Sequence, residues 1–232
     1  MKSVHSGDSA DSMITSRLDA LLTGMPQLFH PTRGMSSMAR TPADGPIAVG
    51  PLGFVGDEVA DPSVHGGTDK AVHFYPAEHY AAWRADLGDH PRLAAPGGFG
   101  ENLSALGLTE DRVRIGDRFR IGTALFEIAQ GRQPCWKLDH HFARPAMAAD
   151  VIRSGRGGFY FRVIEAGVVA AGDAIEQRAR GPAQWTVARV FDLLIGGGHK
   201  QTGAHSALAE LAALPTLAAN WRARAAKFHA AN

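Results

Sequence analysis

Cysteine is nearly absent: Cys135 stands alone in 232 residues. That excludes an intrachain disulfide framework and any Cys-x-x-Cys metal or redox pair. A reactive single thiol survives best in a reducing compartment, so the sequence predicts a cytoplasmic protein. An excess of charge of either sign is absent too. The 24 basic residues against 23 acidic ones leave a net charge of +1, which gives no global field for a nucleic acid or a membrane surface. No apolar run approaches the roughly 20 residues of a membrane span. The stretch Met1 to Met13 is polar, contains Asp8 and Asp11, and lacks the apolar centre of a secretory signal. There is no Gly-Lys dipeptide, which excludes a Walker A loop, and no Gly-x-Gly-x-x-Gly leading into a helix, so a nicotinamide or flavin Rossmann site is unsupported. No His-x-x-x-His pair supports a zinc hydrolase. No repeat of 20 to 50 residues is found.

What the chain does have is 45% apolar residues, enough for a real core, and many short strand patterns. Ile47-Ala48-Val49, Ala71 to Tyr75, Leu125 to Ala129, Phe159 to Ile164, Val168-Val169 and Ala174 to Glu176 read as strands. Arg112 to Ile115 and Arg118 to Ile121 alternate strictly on either side of Gly116-Asp117. Short strands with Gly turns, rather than regular βαβ units, favour a barrel. Ile14, Leu18, Leu21 and Leu22 recur at helical spacing and predict a short helix over Met13 to Thr23, behind a loose tail over residues 1–12. Phe29 to Pro46 reads as extended chain or loop. Pro76 is placed to open a helix that Gly88 stops, and Pro145 to Arg153 predicts another. After Gly181-Pro182 the composition turns Ala- and Leu-rich. Three helices are predicted there: one capped by Thr186, one over His205 to Leu214 and one over Pro215 to His229. The expected organisation is an N-terminal tail and short helix (1–33), a β-barrel domain (34–182) and a small three-helix domain (183–232). Few contacts are expected to cross a Pro- and Gly-marked boundary of that kind.

Four stretches hold residues fit for chemistry. Cys135 follows a strand that Gly131 loosens and Pro134 stops, and Trp136-Lys137-Leu138 begins a short helix behind it. Arg132 and Lys137 place positive charge near the thiol, which favours the thiolate, the form that attacks sulfur or binds a soft metal. A lone cysteine also serves as a small buried hydrophobe, and local chemistry leaves both readings open. In His65-Gly66-Gly67-Thr68-Asp69-Lys70 the glycines let backbone N–H groups approach an anion and Lys70 adds charge; an ordinary turn has the same composition. Glu101 and Asn102 follow Gly97-Gly98-Phe99-Gly100 and offer an acceptor and an amide, suited to a ligand edge that both donates and accepts or to capping a turn. Arg156, before Gly157-Gly158, can grip a phosphate-like group bidentately, while Tyr160 fits a core as well as a site. His140 and His141 are adjacent on a helix, share no face, and read as structural.

Gly131-Arg132-Gln133-Pro134-Cys135-Trp136-Lys137-Leu138 resembles the cysteine motif of MOSC domains, the family named after the C-terminal domain of molybdenum cofactor sulfurase. Three further stretches agree in type and order: Gly56-Asp57-Glu58 with Val64 to Val72, Gly98 to Leu103, and Gly155 to Val163. Together they resemble the stand-alone bacterial branch associated with hydroxylaminopurine resistance, over residues 34 to 228, helical tail included. The resemblance implies a mainly β fold with α, a MOSC-type β-barrel followed by a small three-helix domain. It implies a molybdenum–molybdopterin cofactor with the Cys135 thiolate on the metal. The cofactor would be held by His65, Gly66, Gly67, Lys70, Glu101, Asn102, Arg132 and Arg156. The implied reaction is two-electron reduction of N-hydroxylated bases and related N–O compounds. The chain carries no electron-carrier signature of its own, so an electron-donating reductase is the expected partner. The C-terminal helices would dock it or form a homodimer interface. Neither membrane nor direct nucleic-acid binding is expected. Two other roles fit the same fold: a sulfur carrier with a Cys135 persulfide, or a non-catalytic module binding a phosphorylated ligand.

Overall fold

The computed structural model describes residues 12–32 and 34–231; all of the tail predicted for 1–12 except Ser12 lies outside them. The chain opens with strands β1 (Thr15–Arg17) and β2 (Ala20–Thr23), the hairpin β3 (Gln27–His30) and β4 (Gly34–Ser36), then β5 (Thr41–Pro42), β6 (Ile47–Gly50) and β7 (Gly53–Phe54). A one-turn helix α1 (Pro62–His65) and a 3₁₀ turn at Thr68–Lys70 lead into β8 (Val72–Pro76), α2 (Glu78–Leu87) and β9 (Leu103–Ala105). Next come β10 (Arg118–Ile121), β11 (Ala124–Gly131), α3 (Lys137–His141), α4 (Met147–Ser154), β12 (Phe159–Glu165), β13 (Gly167–Val169) and β14 (Ala174–Ala179). Helices α5 (Val187–Phe191), α6 (Ala204–Ala213) and α7 (Ala219–Ala231) complete it, with a π-helical turn at Asp192–Gly196 after α5.

Among the described residues nine strands form one sheet, in the order β1-β14-β10-β11-β12-β8-β9-β2-β5. Its neighbours are antiparallel except β8 and β9. The order begins with β1 and has β2 next to its far edge, yet only Leu18 and Asp19 separate these strands. Leu18 N–H donates to the Asp173 carbonyl (2.9 Å) at one end of the sheet, and Asp19 N–H to the Ser104 carbonyl (2.9 Å) at the other. The sheet is therefore wrapped round, with a seam made by two linking residues and no ladder closing β1 onto β2 or β5. β13, β6 and β7 form a second, smaller sheet. The architecture is mixed, mainly β with α, as expected.

The helix expected over Met13 to Thr23 is instead two strands. Helical spacing of Ile14, Leu18, Leu21 and Leu22 is outweighed by pairing: β1 takes its ladder from β14 and β2 from β9, and all four apolar side chains are still buried. Pro76 ends β8 rather than opening α2, which starts at Glu78 and stops at Gly88. Arg112 to Ile115 alternates, with Val113 and Ile115 buried, but makes a single bridge from Arg114 to Thr186 rather than a strand ladder. Thr186 does cap α5, accepting the Arg189 N–H (3.2 Å).

The expectation of sparse contact across Gly181-Pro182 meets a shared core. Phe126, Ile128 and Phe161 of the sheet belong to one apolar cluster with Val187, Phe191, Leu208 and Trp221. A Cβ on Gly131 would stand 3.1 Å from the Trp221 ring and 3.3 Å from Phe191, so glycine lets the helical segment lie against the end of β11. Ala218 N–H donates to the Ala129 carbonyl (2.9 Å), and Ala219 N–H to the Asp69 carboxylate (3.2 Å).

Candidate functional site

β11 is buried along its whole length and delivers the chain to Cys135. Beyond Gly131, Arg132 N–H donates to the Gly158 carbonyl (2.9 Å), which ties the exit of β11 to the start of β12. Pro134 has no N–H to extend the ladder. Cys135 accepts the Leu138 N–H at its carbonyl (3.0 Å) just ahead of α3, and its residue is partly exposed. The turn opposite depends on Gly158, at φ +73°, where a Cβ would fall 2.3 Å from the Phe74 carbonyl oxygen. Glu110 braces that turn: one carboxylate oxygen accepts the Gly158 N–H (2.7 Å) and the other bonds His79 Nε2 (2.7 Å).

Cys135 lines a cleft that opens to solvent. Its walls carry Lys70, Arg132 and Lys137, and among the described residues no ion pair joins any of these to a carboxylate. Among the described residues Asp57 is the one carboxylate on the wall, and it is already engaged. Arg40 grips it through Nε (2.7 Å) and Nη2 (2.8 Å), while Gly24 N–H and Asn102 Nδ2 donate to it, each at 2.9 Å. The lining is thus cationic in net effect. Burial, followed by Lys137, Lys70 and Arg132, lowers the pKa of His65 to about 4. Burial, followed by Arg132, lowers that of His73 to about 3. Both imidazoles are neutral at pH 7. Burial also lowers the Lys70 ammonium from its usual range, with Asp69 opposing. Tyr160 faces the same cleft, and burial holds its phenol above the usual range. A pocket of this kind accepts an anion and presents it to a thiol.

The family model for the MOSC domain matches residues 61–176. Protein YiiM of Escherichia coli K12 is 40% identical over 151 residues, which is 65% of this chain and 67% of that protein. The chain belongs to the MOSC domain family. The solved structure of YiiM from Geobacillus stearothermophilus superposes with a TM-score of 0.77 at 31% identity, covering 92% of this chain and 99% of that one. A protein of Gibberella moniliformis named "Reductase" is 38% identical over 156 residues, 67% of this chain but 28% of its own length. The MOSC match leaves out β1 to β7 and α5 to α7, whereas the YiiM structure covers nearly the whole chain.

Of the MOSC motif residues read from the sequence, the cleft gathers Cys135, His65, Lys70, Asn102 and Arg132. Asn102 is spent on the fold: Oδ1 accepts the His73 N–H (3.1 Å), and Nδ2 donates to Leu22 O (3.2 Å) and to Asp57. Gly66 and Gly67 shape the loop without lining the cleft. Gly66 N–H closes α1 on the Pro62 carbonyl (3.2 Å), and Gly67 sits at φ +95° ahead of the turn that carries Lys70. Glu101 is not on the wall. Its carboxylate is fully buried and accepts Gly97 N–H (2.6 Å), Phe99 N–H (3.1 Å) and the Tyr80 hydroxyl, so it folds the 97–100 loop rather than meeting a pterin edge. Arg156 also faces elsewhere. It pairs with Asp86 and lies 4.0 Å over the Trp83 ring, in a separate depression. Arg40, His73 and Ser37 line the cleft but were not singled out from the sequence. His73 sits in a strand buried at every position, so no alternation marks it. Arg40 lies in a loop, where only its tertiary pairing with Asp57 distinguishes it from a surface arginine. No helix among the described residues is long and apolar enough to cross a membrane.

Proposed function

We propose that this MOSC protein binds the molybdenum–molybdopterin cofactor in the Cys135 cleft and reduces N-hydroxylated bases and related N–O compounds with electrons from a partner reductase. The observation that carries the reading is the composition of the cleft wall: one thiol, three cations without carboxylate partners, and Arg132 Nη1 buried with no hydrogen-bond partner among the described residues. A phosphorylated, thiolate-ligated cofactor fits that donor set. Cys135 would supply the soft ligand. Lys70, Arg132 and Lys137 would hold the phosphate, in place of the Arg156 suggested by the motif alone. When bound, the cofactor supplies two-electron redox chemistry suited to cleaving an N–O bond. The chain's own groups bind, orient and keep protons in place. His65 stays neutral and so can accept or donate a hydrogen bond without adding charge, whereas the ring nitrogens of His73 face the Gly100 and Gly157 carbonyls. Tyr160 keeps its phenolic proton and can donate from Oη. The relationship to a protein named "Reductase" supports the reaction class, and the covered fragment of that protein leaves room for a separate electron-carrying part.

The test is metal and pterin analysis of the protein produced in a host with intact cofactor synthesis, for the native chain and for Cys135→Ser. Molybdenum and pterin in the native protein, with the metal lost from the variant, is the expected result. Cyanolysable sulfur on Cys135 without metal would instead assign sulfur carriage. A metal-free protein that binds a phosphorylated ligand equally well in both forms would leave a non-catalytic binding module.

A further inference from the structure

Two residues on the walls of the Cys135 cleft each carry a buried polar atom with no hydrogen-bond partner among the described residues. Ser37 is 8% exposed and Arg132 is 6% exposed. Both residues line the cleft, and among the described residues neither Ser37 Oγ nor Arg132 Nη1 has a hydrogen-bond partner. Buried polar groups in native structures are nearly always paired, so two orphans on one cavity point to a partner that belongs there. They arrive independently: Ser37 directly follows β4, and Arg132 directly follows β11. The neighbouring Ser36 behaves differently, since its Oγ accepts the Met38 N–H (3.3 Å) and is spent locally.

Ser37 is also held in place relative to Cys135. The β3–β4 hairpin docks on α3, the helix that begins two residues after the thiol. The Phe29 and His140 rings pack edge to face at 4.8 Å, and His140 Nε2 donates to the Phe29 carbonyl (2.8 Å). Exposed Leu28 and Met35 pair across the hairpin on its outer face, while Ser37 and Met38 turn to the cleft. A serine hydroxyl and a guanidinium N–H both donate, and Lys70 and Lys137 add charge that no ion pair among the described residues takes up. A ligand group that satisfies all of them is compact, anionic and rich in acceptors.

We propose that Ser37 Oγ and Arg132 Nη1 hold the oxyanion of a phosphate monoester, which makes the β3–β4 hairpin one wall of the ligand site. This rests on the phosphate-binding part of the reading above and not on molybdenum. The experiment compares the full chain with Ser37→Ala, both produced in a host unable to make the pterin. Thermal unfolding is followed against inorganic phosphate, with chloride at matched ionic strength as the control. The native chain is expected to melt higher as phosphate is added. The ligand-free variant is expected to melt at the same temperature or higher, because an unpaired buried hydroxyl has been removed. It should need about ten-fold more phosphate for the same rise, equivalent to about 1.4 kcal/mol. A native chain that ignores phosphate overturns the proposal, as does a variant with an unchanged phosphate response or a lower ligand-free melting temperature. Molybdenum and pterin content from a cofactor-competent host is read in parallel. A phosphate response that depends on Ser37, in a chain that never acquires metal, leaves this proposal standing and sinks the cofactor reading. Metal retained with no role for Ser37 does the reverse.

Discussion

Replacing Trp221 by alanine tests whether the helical segment and the sheet are one folding unit. Trp221 is 2% exposed and belongs to the apolar cluster that includes Ile128 and Phe161 of the sheet. Its ring reaches the bare backbone of Gly131, the last residue of β11 before Arg132. Alanine leaves a void that the helix can fill only by moving, and α7 is tied down by the Ala218 and Ala219 N–H bonds to β11 and Asp69. Deleting a buried Trp side chain costs about 3–5 kcal/mol. For a chain of this length each kcal/mol lowers the melting temperature by about 2–4 °C, so the expected drop is about 6–20 °C. The assay is thermal unfolding followed by far-ultraviolet circular dichroism, which reports helix and sheet, and by tryptophan fluorescence. One coincident transition, moved as a whole, is the expected outcome. Two transitions, of which the substitution moves only one, would refute the shared core and restore an independent helical domain. Removal of residues 183–232 should then be tolerated, whereas a shared core makes the truncated chain aggregate.

Cys135→Ser should abolish reduction of N-hydroxylated substrates by the cofactor-loaded enzyme while leaving the melting temperature nearly unchanged; full activity with a competent reductase would remove Cys135 as the metal ligand. Lys70→Ala should lower pterin content, by roughly 10- to 150-fold in affinity for a lost charge-assisted contact of about 1.5–3 kcal/mol. Arg156→Ala should leave pterin content alone, because its partners are Asp86 and Trp83; equal losses in both variants would place Arg156 back in the site. Stability should fall on acidification. His73 and His141 have folded pKa values of about 3 and about 4, below the ordinary 6.5, with burial the leading cause. The unfolded chain therefore binds protons first, and stability is lost progressively from about pH 6.5 down to the folded values. Urea unfolding midpoints measured from pH 7 to pH 4 check this, and His141→Gln should flatten the profile.

The cysteine stretch was legible because it is written in local chemistry. Alternation marks β11, Gly131 and Pro134 end it, and the helix after Cys135 follows from what proline forbids. The loop carrying His65 and Lys70 was legible for a similar reason: paired glycines next to charge are visible without a fold. Glu101 and Arg156 were misplaced because a carboxylate or guanidinium near glycines looks the same whether it faces a ligand or the protein. Tyr80 and the Gly97 and Phe99 amides claim the first, and Asp86 and Trp83 claim the second; none of these is adjacent in sequence to its partner in a way that marks the bond. The N-terminal strands were hidden by a different ambiguity. Four apolar residues in nine fit a helix turn by turn, and only the distant edges of β14 and β9 make extended chain the better answer.

The seam at Leu18-Asp19 also has a consequence for synthesis. Ile14 N–H bonds the side chain of Gln177, 163 residues later, and among the described residues β1 pairs with no strand other than β14. On a ribosome the first strands emerge long before the edge that receives them. β2 can pair early with β5, but β1 must wait, unpaired, while β8 to β12 assemble through nearer contacts, and loop-closure entropy makes its docking one of the costlier steps. β1 then docks late, and during that interval it is a segment of the sheet open to a chaperone or to a neighbouring nascent chain.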